Sequence, residues 1–269
     1  MGKLAFQTVE ELINDTPNRF KNRKANQQDI EKMSEWMHLF SKFLPTVDIA
    51  QADLELLEQK LGSKIPAEIK TLYAFIGNST EALKEESLKL HDFQLLHTND
   101  FWIEKDVIIK DFYTEEDWFK TDVLVYASLK NQKKALYGVD LINGWGLYHQ
   151  KDWFWQKDDM PLFQKLTSLY VNVIIANKAN VIKTKVKGIT GIKRDSKAEE
   201  LFKGTMLRLP DFEHYEHTIF ISEELDLVGW FRAGMGIDFL VGSDKKDSLT
   251  NVIEKFAFTS AKFLKEESK

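Results

Sequence analysis

At 269 residues, with 43% hydrophobic and 29% charged positions, the chain is long enough for one large domain or two modest ones with an ordinary globular core. The absence of cysteine excludes disulfides, thiol nucleophiles and thiolate metal sites together. A net charge of −5 argues against nonspecific nucleic-acid or anionic-membrane binding, and neither a membrane-length apolar run nor a signal-like start is present, so the expected location is the cytoplasm.

The first 45 residues read as a helical N-terminal extension. Thr8 to Ile13 suits a short amphipathic helix. From Gln28 to Leu44 the apolar residues Ile30, Met33, Trp36, Met37, Phe40 and Leu44 recur at steps of three and four, and Pro45 ends that helix.

Asp48 to Asn78 reads as two helices with punctuation between them. Asp48 and Gln51 form a capping box, so a helix is expected from about Ile49. Leu54, Leu57 and Leu61 give it an apolar face, with Glu55, Glu58, Gln59 and Lys60 mostly on the solvent side, and Gly62 supplies the left-handed stop. Pro66 fits the first helical position of the next helix, whose stripe is Ile69, Leu72, Tyr73 and Ile76 before Gly77-Asn78.

An acidic residue after a leucine pair, a Leu61-Gly62 helix end, and Ile65-Pro66 opening a second helix together resemble the signature of the SUKH superfamily. That superfamily joins a fungal cell-wall synthesis regulator to bacterial immunity proteins that neutralise polymorphic toxins by binding them. The resemblance covers residues 46–177 and makes Leu57, Glu58, Leu61, Gly62, Ile65, Pro66 and Leu72 the fold signature. It implies an α+β domain with helices packed on an antiparallel sheet, and a protein partner, a toxin domain, with no cofactor.

Strand-like segments follow at Phe93 to Leu96, Phe101 to Ile109, Val123 to Leu129 and Ala135 to Ile142, the last two joined as a hairpin through Lys130 to Lys134. The turn at Asn143 to Gly146 leads into a further segment, Leu147 to Trp155. Met160 to Asn177, with Pro161 at its start, reads as the closing helix. Strands following helices without β-α-β alternation independently suggest an antiparallel α+β sheet.

Residues 178–269 suggest a second small α+β domain. Val181 to Lys187 alternates like an edge strand guarded by lysines. Ser196 to Glu199 is a capping box for a short helix ending at Gly204. Strands are expected at Met206 to Leu209, Thr218 to Ser222, Leu225 to Arg232 and Ile237 to Val241, with a final helix from Leu249 to Leu264.

Candidate contact residues fall in three places. Glu115, Glu116, Asp117 and Trp118 join acid to aromatics in an expected loop. Trp145, Tyr148, Trp153 and Trp155 crowd a turn and the strand after it, where core and partner surface are competing readings. Asp211, Glu213 and Tyr215 lie in a loop with His214 and His217, which would share a metal only if that segment formed a helical turn. With no nucleophile elbow or phosphate-cradling glycine loop, the expected function is non-catalytic binding of a protein partner, foremost toxin neutralisation. The alternatives are a regulatory or scaffold protein binding an endogenous partner, and a metal-dependent hydrolase built on His214 and His217.

Overall fold

The computed structural model describes residues 24–44, 54–77, 93–110, 117–129, 132–149, 154–158, 161–186, 206–210, 216–233, 237–256 and 262–265. These divide into two compact units: residues 24–42 with those between 54 and 170, and residues 43 and 44 with those from 171 onward. Mixed α+β architecture holds in both.

The first unit begins with α1 (Gln27–Ser41). Asn26 caps it reciprocally with Asp29, each side chain accepting the other's backbone N–H at 2.8–2.9 Å. Its apolar spacing buries Met33, Trp36, Met37 and Phe40, and α1 packs on α3 (Ala67–Ile76). Between them in sequence lies α2 (Leu54–Leu61), where Leu57 is buried and Leu56 exposed. On α3, Ile69, Leu72, Tyr73 and Ile76 are buried as their spacing predicts. Tyr73 also fastens the helices to the strands, meeting Phe101 edge-on at 5.3 Å and donating its hydroxyl to the Leu96 carbonyl.

The strands of this unit form a closed barrel, not the open antiparallel sheet expected. β3 (Asp117–Leu129) lies between β2 (Trp102–Lys110) and β4 (Gln132–Asp140), which continues antiparallel through β5 (Gly146–His149) to β6 (Trp155–Lys157). β6 then pairs parallel with β2, Ile109 opposite Trp155 and Lys110 opposite Gln156, which removes both free edges. The short β1 (Phe93–Leu95) extends the β2 side of β3. Two local expectations change with this. Leu147 to Trp155 is not one segment but parts of the β5–β6 hairpin, and Asp117 to Phe119 open β3 instead of lying in a loop. The β3–β4 connection is also tighter than five residues, because Leu129 already pairs with Gln132.

A bulge decides what fills the barrel. Lys105 and Asp106 together face the single Asp122 on β3, with Asp106 at φ 55° and its N–H on the Asp122 carboxylate at 3.1 Å. The extra residue lets Glu104, opposite Val123, and Val107 and Ile109 further along all turn inward. The interior holds Ile109, Val123, Val125, Leu147 and Trp155, flanked by Leu96, Val107, Phe119, Leu136 and Trp145. Trp155 crosses toward Gly138 on β4, where a Cβ would lie 2.4 Å from Val123 Cγ1 and 3.0 Å from Trp155 Cη2.

Helix α4 (Leu162–Asn177) contributes its residues through Tyr170 to the first unit and those from Val171 to the second. The second unit is an antiparallel sheet in the order β12 (Lys262–Lys265), β7 (Asn180–Val186), β11 (Ile237–Ser243), β10 (Leu227–Ala233), β9 (Glu216–Ser222), β8 (Met206–Pro210), with α5 (Lys246–Phe256). The expected edge strand at 181–187 is interior, between β11 and β12. The expected helix at 249–264 ends at Phe256, and its last stretch is β12: strand pairing to β7 overrides the helical spacing of Phe263 and Leu264. Lys178 joins the strand ends, donating to Asp226 at 2.8 Å and Asp244 at 2.7 Å, while the Asp244 N–H donates to Asp226 and the Ala179 N–H to Asp244. The expected helices at 8–13 and 196–204 and the Asp48 capping box lie outside the described residues.

Leu72 is 0% exposed, so Leu72→Ala should lower stability by about 2–5 kcal/mol in equilibrium denaturation, through lost transfer energy and the cavity left behind.

Candidate functional site

The signature stretch folds as a locked corner. Gly62 stops α2 at φ 65°, and the amides of Gly62 and Ser63 donate to the carbonyls of Gln59 and Glu58 at 3.3 Å. Pro66 occupies the cap of α3 instead of its first turn. Glu58, expected on the solvent side, turns inward and is only 8% exposed. Its carboxylate accepts the Ile65 N–H at 2.9 Å and pairs with Lys70 at 2.6 Å and Lys64 at 2.9 Å. These bonds, the Lys70 contact first, bring its pKa down to about 2. Leu57, Glu58, Ile65 and Leu72 are thus buried, Gly62 and Pro66 stand at helix ends, and Leu61 is the half-buried last residue of α2.

The aromatic candidates separate. Trp155 is buried inside the barrel. Trp145 is half-buried against the barrel core, its ring edge-on to Phe119 at 5.2 Å with Lys157 Nζ 3.8 Å from its centroid. Tyr148, half-buried, stands on β5 opposite Tyr137 and Gln156. Asp117 and Trp118 begin β3, while Glu115, Glu116, Trp153, Asp211, Glu213, His214 and Tyr215 lie outside the described residues. His217 sits in β9 opposite Leu209 and Arg232, in extended backbone and not in a helical turn. Among the described residues no group of three or more His, Asp or Glu side chains is placed to hold a metal.

A cluster that the sequence does not single out draws two tryptophans onto one carboxylate. Glu104 Oε2 accepts the Trp155 indole N–H at 2.9 Å, and Oε1 accepts that of Trp102 at 3.4 Å. His149 lies against Trp155 with ring centroids 5.4 Å apart. Trp102 is 37% exposed and Glu104 half-buried, so the cluster runs from the barrel interior to solvent. Trp102 and Glu104, two apart on a strand, share a face by simple alternation. Trp155 and His149 join them only through the barrel's closure.

The chain matches no family model, no curated protein and no solved structure. Among the described residues no helix is long and apolar enough to cross a membrane.

The Glu58 corner carries a pH signature. Its folded pKa is about 2 against the ordinary 4.5, so its contribution to stability is complete above about pH 4.5 and is lost as pH falls toward 2. Thermal melts of wild type and Glu58→Gln should converge across that window and differ most above it. Parallel melting profiles down to pH 2 would remove the carboxylate from this role.

Proposed function

We propose that the protein is a non-catalytic binding module, an immunity protein that neutralises a cognate toxin by covering its functional surface. The observation that carries this reading is Trp102, a large aromatic side chain partly open to solvent on a strand of a closed barrel. Tryptophan is enriched among residues that dominate protein interfaces, and a barrel wall presents it with little ordering cost on binding. The Leu57 to Leu72 signature supports the family reading, and its residues are engaged in folding, which leaves contact with a partner to the barrel and its loops. The Glu104 carboxylate beside the indole offers an acceptor suited to a basic group on the partner.

Co-expression with a toxin domain encoded beside this protein should protect cells and yield a co-purifying complex. Trp102→Ala, folded by circular dichroism, should weaken that complex by at least about 2 kcal/mol, the scale of an interface hot spot. Absence of both protection and a complex with every such domain would contradict the proposal.

A further inference from the structure

Glu104 has an acceptor inventory that the protein itself leaves incomplete. Its two partners are neutral indole N–H groups, which hold the carboxylate in place without cancelling its charge. Among the described residues no Lys, Arg or His pairs with it. Basic side chains on the same strands are engaged with other groups: Lys105 bonds Asp122 at 2.7 Å and Lys157 lies over Trp145, while the His149 ring packs on Trp155. A half-buried carboxylate without a counter-charge is costly, and the cost falls when a cation arrives.

The surroundings select the kind of cation. Trp102 stands beside the carboxylate with more than a third of its surface open, and its own bond to Oε1, at 3.4 Å, is long and readily exchanged for a stronger donor. Trp155, at 2.9 Å, fixes the other oxygen. A planar guanidinium meets both features at once, stacking on an indole face while donating charge-assisted hydrogen bonds to a carboxylate, which an ammonium point charge does less well. We infer that Trp102 and Glu104 form a subsite for an arginine side chain of the partner protein. This rests on the proposed binding function for the source of the arginine, and on the barrel geometry alone for its chemistry.

The test uses the intact protein and N-acetyl-arginine amide, followed by the indole N–H signals in 15N-labelled protein, with Trp102→Phe to assign them. The Trp102 and Trp155 signals should shift saturably, and N-acetyl-citrulline amide, the neutral isostere, should bind at least tenfold more weakly. Glu104→Gln keeps an oxygen for the Trp155 indole and should reduce arginine binding tenfold or more while leaving the fold unchanged. Equal responses to arginine and citrulline, or no movement of either signal up to roughly 50 mM, far above a millimolar dissociation constant, would overturn the subsite. If arginine binds as described but no toxin is neutralised, the subsite stands and the proposed function falls. If protection is seen and the titration is silent, the subsite alone falls.

Discussion

One side chain, Trp155, organises the first unit. It enters the barrel on a strand only three residues long, shares with Val123 the space left by the missing side chain of Gly138, and bonds the Glu104 carboxylate through its indole. A five-stranded barrel has an interior narrow enough for side chains to fill. Here a single indole spans it, with Val123, Val125 and Leu147 packed around the ring. The short parallel pairing of β6 with β2 is thus supported by core packing as well as by its few ladder bonds.

The consequences reach outward from that ring. Glu104 faces inward opposite Val123, and the bulge at Lys105 and Asp106 that follows brings Val107 and Ile109 onto the same inward row. Trp102 then stands at the exposed end of the same row. On another side, Tyr73 and Phe101 fix the helical corner to the strands, and Glu58 holds that corner closed through Ile65 and Lys70. The helices are fixed to the barrel through this corner.

The parts legible in the sequence were those set by local rules. The stripe of α1, the Gly62 stop and the buried face of α3 each follow from helical spacing and backbone preference within a few residues. The barrel was not legible, because its closure rests on two residue pairs each 46 positions apart, and strand propensity does not name a partner. Glu58 read as solvent-facing because its bonding groups lie six, seven and twelve residues downstream, beyond helical neighbours. Lys262 to Lys265 kept helical spacing by coincidence and became strand where β7 offered an open edge. For the site, Trp155 was visible as an aromatic but its core role required the Gly138 gap, and its meeting with Trp102 and Glu104 depends on the barrel's closure, which no local rule supplies.

Gly138 offers the most direct measurement. It lies within a strand and not in left-handed backbone, where replacing glycine by alanine ordinarily stabilises a protein by about 0.4–1 kcal/mol through the unfolded chain. If Val123 and Trp155 fill the space that Gly138 leaves, Gly138→Ala should instead cost roughly 1–3 kcal/mol in equilibrium denaturation, because the new methyl meets both side chains in a packed interior. Unchanged or raised stability would contradict the account.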